Sequence, residues 1–476
     1  MNTTLSHLKK LSDTTDQALI ISDKASLARF GVTAPDKEYL EQRMRLEIGL
    51  TAINNYERHR FFILSPKETD IAKRREYFRR KGYELAKMLF AEKIKNIELS
   101  AGGTQDDDVL ALAEGLALSN YEFLKYKTDK LSKALHSIGI HAPNLHAADV
   151  EELANVIDAV FIARDLVNEP VIYLTAEQLG KEITALGKEA GFDTEVFGKQ
   201  KIRALKMGGL LAVNAGSQDE PTFSVSEYRH PKAVNAKPII LVGKGVTFDS
   251  GGLNIKLQSM VYMKSDMAGA AAVMGAIFAA AKNRLPLWII ALVPSTDNRP
   301  GENAIAPGDV ITLHNGTTVE IIDTDAEGRL ILGDALSYAQ GLNPELVIDV
   351  ATLTGSAARA LGKEGMVCMG TAPAEVKEQL NEAGNDVCER MVEFPLWDDY
   401  EEQVKSDLAD IKNYGGPEAG AITAGMFLKH FTEYPWMHLD IAGCAFLEKG
   451  EWNYRGKNGS GVGVRLLYRF LKMQAG

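Results

Sequence analysis

Apolar positions along the chain fall into two regimes. Over the first third, short apolar runs (ALIIS from residue 18, FFILSP from 61, KNIELS from 95) alternate with charged stretches such as KEYLEQRMRLEIGLTAI at 37–53. The short runs predict strands and the charged stretch a helix, an alternation that belongs to an α/β domain. Helical apolar spacing returns in DVEELANVIDAVFIARDLVNEP, 149–170, and stops at Asn168-Glu169-Pro170. Proline disfavours helical backbone in the residue before it, so this is a helix end. A domain junction is expected on this helix near residue 163, giving domains of 1–162 and 163–476.

Beyond the junction the βα alternation strengthens. KPIILVGKG (237–245), PLWIIALVPS (286–295), DVITLHNGTTVEIIDTD (309–325), ELVIDVATLTG (345–355) and WMHLDIAGCAF (436–446) each predict strand. MAGAAAVMGAIFAAAKN at 267–283 reads as a tightly packed core helix rather than a membrane span. Strands apolar on both faces, alternating with helices, require a sheet covered on both sides. Functional groups in such sheets collect where loops leave the strand ends. Charged clusters stand at such points after IILVGKG and VEIID, and the polar ATLTG at a third.

Composition narrows the class. The 476 residues are 45% hydrophobic and 25% charged, ordinary for a water-soluble protein, and the length favours two domains. A formal net charge of −11 argues against general adhesion to nucleic acid or anionic membrane. The first residues lack the apolar run of a secretory signal. Three cysteines (Cys368, Cys388 and Cys444) without a CxxC pair read as free thiols. A cytoplasmic setting is expected.

The chemistry concentrates in IIDTDAEGRLIL, 321–332, where Ile321 and Ile322 read as the end of a buried strand. Asp323, Asp325, Glu327 and Arg329 crowd a junction between apolar runs, and three carboxylates repel unless positive charge lies between them. In an extended segment Asp325, Glu327 and Arg329 would point to one side. Lys244, Asp249, Lys256 and Asp266 follow another strand, Asp266 at the start of the Ala-rich helix. Singly, an aspartate there is an N-cap and a lysine is a solvated charge. Jointly, Asp249, Asp266, Asp325 and Glu327 near one set of strand ends call for metal ions, which turn repulsion into coordination. A phosphate loop fails because Gly245 follows Lys244, and a dinucleotide fingerprint fails at Phe248. Ser250 and Ser356 lack a histidine partner, and none of the nine histidines shows HExxH spacing; His438 reads as a core residue. The inferred site is therefore built without histidine.

DTDAEGRL closely resembles the NTDAEGRL signature of the leucyl (cytosol) aminopeptidases, the M17 metallopeptidases. VGKGVTFDSGG, MKSDMAGAAAV, ATLTGSA and HLDIAG match the same family in the same order, as do EGLALSNYEFLKYK and ARDLVNEP upstream. The resemblance runs from about residue 110 to the carboxyl end. It implies a smaller N-terminal α/β domain and a larger catalytic domain with a mixed central sheet flanked by helices. It also implies two divalent metal ions, Zn with Mn, Mg or Co exchangeable at one site. By position, Asp249 and Glu327 would bridge the ions, Lys244 and Asp266 would complete the tighter site, and Asp325 the looser one. Lys256 would stabilise the oxyanion, and Arg329 would hold a bicarbonate acting as general base. Met263, Thr352, Leu353 and Gly355 match substrate-binding positions. The implied reaction is metal-dependent hydrolysis of the N-terminal bond of short peptides with a free amino terminus, preferring Leu-like residues, in a homohexamer. The alternatives are a dipeptidase on the same scaffold, for substrates such as Cys-Gly, and a regulatory DNA-binding role that the acidic balance disfavours. Two departures stand out. Asp323 replaces the signature Asn, either as a turn residue or as an extra negative charge beside the metals. The Lys256–Asp266 loop is one residue shorter than the common form.

Overall fold

The computed structural model describes residues 3–101, 106–129 and 135–476. Contacts divide the chain into two compact units. The first is Met1–Phe161 with Asp386–Cys388 and Glu451–Gly456; the second is Ile162–Asn385, Glu389–Gly450 and Lys457–Gly476.

The first unit is built on a six-stranded sheet, in the order Thr4–His7, Ser137–His141, Asn96–Ala101, Gln17–Ile21, His59–Leu64, Leu50–Asn54. All neighbours are parallel except the last pair. Gln17–Ile21 is buried along its whole length, as a central strand covered on both faces must be. Helices Ile71–Ala91 and Asp106–Ser119 pack where each carries a glycine. A Cβ on Gly115 would lie 2.0 Å from the Arg79 carbonyl oxygen, and one on Gly82 2.5 Å from that of Leu112. One expectation is corrected: 37–53 is not helical throughout. The helix spans Ala34–Arg45, Glu47 turns the backbone at φ 53°, and Leu50–Asn54 is an edge strand. Alternating β-branched Thr51 and Ile53, pairing with Phe62 and Arg60, override the helical reading.

In the second unit the central sheet is mixed. Its order is Met391–Glu393, Met366–Gly370, Trp436–Asp440, Leu346–Ala351, Ile239–Gly243, Trp288–Asn298, Thr222–Arg229, Asp193–Phe197, with Gly245–Asp249 paired to the end of Trp288–Asn298. The four strands from Trp436–Asp440 to Trp288–Asn298 are mutually parallel and finish at one edge. Helix Ala268–Lys282, buried from Ala268 to Ala281, covers one face, and helix Gly328–Gln340 shares the apolar core on the other with Ile240, Val242 and Val347. The run 309–325 departs from expectation. It forms two short strands, Val310–Thr312 and Thr318–Glu320, in a separate three-stranded sheet with Ile411–Lys412. The strand ends at Glu320, so Ile321 is buried beyond it and Ile322 is partly exposed. None of the three cysteines is in a disulfide, and among the described residues no helix is long and apolar enough to cross a membrane.

Candidate active site

Lys244 leaves the strand Ile239–Gly243 with its backbone pinned, its N–H donating to the Val350 carbonyl at 3.1 Å and its own carbonyl accepting from Ala270 at 2.9 Å. Such close approach needs small residues. A Cβ on Gly243 would come within 2.6 Å of Ala270 Cα, and one on Gly269 within 2.0 Å of the Val350 carbonyl oxygen. The Lys244 side chain then passes Gly328, where a Cβ would meet its Cε and Nζ at 2.6 Å. The glycine of DAEGRL therefore leaves room for the lysine.

Two ammonium groups sit among four carboxylates. Lys244 Nζ lies 2.8 Å from Asp266 Oδ2 and 2.7 Å from Glu327 Oε1, and donates to the Thr352 carbonyl at 3.0 Å. Lys256 Nζ lies 2.7 Å from Asp249 Oδ2 and 2.6 Å from Asp325 Oδ1. The second oxygens of Asp249 and Asp266 are also engaged. Asp249 Oδ1 accepts from Asn298 Nδ2 and the Gly251 N–H, both at 2.9 Å, and Asp266 Oδ1 accepts from Thr352 Oγ1 at 2.8 Å.

The charges are out of balance. Burial and then Glu327 raise the Asp249 carboxyl above its ordinary range, and burial raises Asp266 well above it. Asp325 is pushed up to about 7 by burial and then by Asp249 and Glu327. Glu327 is the exception: burial pushes it up, but Lys244 and Lys256 hold it below the usual value. For Lys244, burial favours the neutral amine, but Asp266, Glu327 and Asp249 outweigh it and keep the ammonium. With protein charges alone Lys244 is thus no metal ligand; only added cations would make it neutral.

The donor set fits such cations. Ligand oxygens of Asp249, Asp325 and Glu327 lie within 4.8 Å of one another. Asp266 Oδ2, Asp325 Oδ1 and Glu327 Oε1 are buried without a well-directed hydrogen bond, only the lysine ammoniums beside them. Hard divalent ions take oxygen donors of this kind.

The eleven residues to which the resemblance gives a role line one cavity of about 600 Å³: Lys244, Asp249, Lys256, Asp266, Asp325, Glu327 and Arg329 with Met263, Thr352, Leu353 and Gly355. Several local readings are nonetheless corrected. Asp266 is not an N-cap; Met267 holds that position, and Asp266 turns to Thr352 and Lys244. Asp325, Glu327 and Arg329 do not share the face of an extended segment. Asp325 lies on a turn, Glu327 is the N-cap of helix Gly328–Gln340, and Arg329 stands in the helix's first turn, where its Nη1 donates to the Asn413 carbonyl at 2.8 Å. Asp323 is a turn residue whose Oδ1 accepts from the Asp325 N–H at 2.9 Å, an Asx turn, and it also lines the cavity. His438 is a core residue, its Nδ1 2.6 Å from Asp349 Oδ1.

Sequence reasoning missed the polar residues that hold these groups. Asn298 ties Asp249 to the Thr324 carbonyl, and Thr324 Oγ1 donates to the Gly251 carbonyl at 2.6 Å. Asp440 accepts from the Leu353 N–H at 3.1 Å and from Thr354 Oγ1 at 2.8 Å, fixing the loop below the cavity. A polar residue closing an apolar strand, as in VPSTDN and WMHLD, is the one signal that would have found Asn298 and Asp440.

A model of the cytosol aminopeptidase family, catalytic domain, matches residues 161–468. The chain belongs to that family. It is 45% identical over 380 residues to a probable cytosol aminopeptidase of Geobacter sulfurreducens, covering 78% of this chain and 76% of the relative. A second relative, the probable cytosol aminopeptidase of Chlorobium limicola, is 43% identical over 396 residues, 80% of this chain and 78% of its own. Among solved structures, the bottromycin maturation enzyme BotP in complex with Mn superposes with a TM-score of 0.86 at 29% identity, covering 98% of this chain and all of its own. A mutant of tomato leucine aminopeptidase gives 0.85 at 26% identity, covering 99% and 96%. The M17 resemblance and the mixed α/β fold it implied are thereby borne out. As a family member the chain is a metal-dependent aminopeptidase whose substrates are peptides.

Proposed function

We propose that this enzyme releases apolar, Leu-like residues from the amino terminus of short peptides, using two divalent ions, Zn or Mn, held by Lys244, Asp249, Asp266, Asp325 and Glu327. The observation that carries this reading is the convergence of those four carboxylates around Lys244 and Lys256 on one cavity floor. Bound there, such ions would supply Lewis acidity and a nucleophile at neutral pH; Mn is the ion in the complex of the similar BotP. The chain's own residues do the rest. Lys256, its side chain about one-fifth exposed toward the cavity, stabilises negative charge developing on the scissile carbonyl oxygen. Arg329, whose guanidinium burial pulls down to about 10, remains charged at neutral pH and would hold a bicarbonate, which would supply a general base. Met263 and Leu353 on the cavity wall favour apolar side chains, and discrimination per methylene is modest, roughly 1–3 kcal/mol. Assembly as a homohexamer and a cytoplasmic setting belong to the same reading.

The test is hydrolysis of Leu-p-nitroanilide with and without Mn²⁺ or Zn²⁺, beside an amino-terminally acetylated analogue. Metal-dependent release from the free-amine substrate alone is expected. Equal cleavage of the acetylated compound would sink the exopeptidase reading, and a preference for free dipeptides such as Cys-Gly would favour a dipeptidase.

Asp323 gives a smaller prediction. Asp323→Asn retains a side-chain oxygen for the Asp325 N–H, so the turn persists. The lost charge is expected to weaken Mn²⁺ binding by about 0.5–1 kcal/mol, the scale of a solvent-screened charge. Calorimetric titration of the metal-stripped proteins measures this, and unchanged affinity would assign Asp323 to the turn alone.

A further inference from the structure

The carboxylate turn between Glu320 and Gly328 belongs to no regular element, yet it must carry Asp323, Asp325 and Glu327 against their mutual repulsion. What holds it comes from a distant stretch. Asn413 follows the short strand Ile411–Lys412, whose parallel partner Thr318–Glu320 leads into the turn. The Asn413 N–H extends that pairing by donating to the Glu320 carbonyl at 3.0 Å. From there its side chain takes over as a substitute strand. Oδ1 accepts from the N–H groups of Ile322 at 2.8 Å and Asp323 at 3.3 Å. Nδ2 donates to the carbonyls of Asp323 at 2.6 Å and Ala326 at 3.4 Å. A side-chain amide offers two lone pairs and two N–H groups, so the residue is saturated. Asn413 is fully buried. The Asp323 carbonyl also accepts from the Ala326 N–H at 3.2 Å, a bond within the turn. The cost of losing Asn413 therefore falls on the N–H groups of Ile322 and Asp323 and on the Ala326 carbonyl. The Asn413 carbonyl accepts from Arg329 Nη1 at 2.8 Å.

We propose that Asn413 is a positioning residue for the reaction, which fixes Asp325 and Glu327 relative to Arg329 by gripping the turn on one side and the guanidinium on the other. Its consequence for catalysis rests on the peptidase reading; its consequence for ion binding does not. A residue that only satisfies a buried loop would lower thermal stability and leave the folded protein's metal affinity and turnover intact. A positioning residue changes both.

The experiment compares wild type with Asn413→Ala and Asn413→Asp. The Asp variant keeps shape and volume, and replaces the two donors by an acceptor facing the carbonyls of Asp323 and Ala326; it decides the matter if the Ala variant does not fold. Mn²⁺ affinity of the metal-stripped proteins is measured by calorimetry, and kcat and KM on Leu-p-nitroanilide at saturating Mn²⁺. Asn413 bonds the backbone beside the ligands rather than the ligands themselves. A loss of about 10-fold, the lower end of what removing an outer partner of a metal ligand costs, is therefore expected in both affinity and kcat, with KM moving far less. A folded variant with wild-type Mn²⁺ affinity and wild-type kcat would overturn the proposal. If wild type binds Mn²⁺ but cleaves nothing, the peptidase reading fails while the affinity comparison still judges Asn413.

Discussion

Glu327→Gln will abolish high-affinity divalent-ion binding and, with it, peptide hydrolysis. Glu327 is buried and lies 2.7 Å from Lys244 Nζ, and the two lysines hold its carboxyl ionised against the pull of burial. The amide keeps the shape and removes the charge, so packing against Gly328 and the helix that follows is preserved. Breaking one member of a buried charge network costs about 3–5 kcal/mol, equivalent to two to three orders of magnitude or more in affinity. The same arithmetic applies to thermal stability. An ion present at 100 times its Kd adds about 2.7 kcal/mol to the native state, and this increment is expected in wild type and absent in the variant. Mn²⁺ titration and thermal unfolding with and without Mn²⁺ measure both, and EDTA-treated wild type should match the variant in activity. A Glu327→Gln protein with wild-type Mn²⁺ stoichiometry and turnover would remove Glu327 from the ligand set.

Lys256→Ala is expected to lower kcat by roughly 10²–10³-fold at saturating Mn²⁺, the loss seen when one preorganised oxyanion donor is removed. Saturation matters because Lys256 does two things. Its ammonium is a counter-charge to Asp249 and Asp325, at 2.7 and 2.6 Å, and of the two lysines in the cluster it is the more exposed. Removing it leaves two carboxylates uncompensated in the metal-stripped protein, which should lower that form's melting temperature; added Mn²⁺ should restore it. The catalytic defect should survive the restoration. Without metal, burial alone would favour the neutral amine, but Asp249, Glu327 and Asp325 hold Lys256 above the ordinary lysine value. A variant whose kcat recovers fully once metal saturates would reduce Lys256 to a counter-ion.

The two substitutions separate holding the cations from stabilising the developing charge. Glu327→Gln should fail in binding and therefore in turnover, whereas Lys256→Ala should fail in turnover after binding is restored. A single collapse of both variants in metal binding would mean that the two lysines and four carboxylates act only as one electrostatic unit.

Part of this protein is legible in its letters. The uninterrupted apolar run IILVG, and LVIDVA with Asp349 as its one break, read as strands buried on both faces, and Ala268–Lys282 as a helix inside a core. The carboxylate cluster is legible too, because no fold places Asp323, Asp325 and Glu327 far apart, and like charges so close demand compensation. Pairing the cluster with Lys244, Asp249, Lys256 and Asp266, some sixty to eighty residues earlier, came from the family resemblance and the βα alternation rather than from local spacing.

Tertiary structure decided the rest. Period-two spacing placed Asp325, Glu327 and Arg329 on one face, but the segment is a turn entering a helix, and its carboxylates converge with Asp249 because Asn413 and Asn298 hold the backbone there. LTAI at 50–53 became a strand because an open sheet edge at His59–Leu64 offered hydrogen bonds that local helical patterning does not register. Asn298 and Asp440 leave only the faint signal of a polar residue closing an apolar strand, and Asn413 leaves none, because a buried amide or carboxylate takes its meaning from partners tens of residues away. Local sequence determines what a segment prefers and which charges cannot be left alone; only the folded chain determines which distant polar group answers them, because a hydrogen bond acts over about 3 Å and not along the sequence.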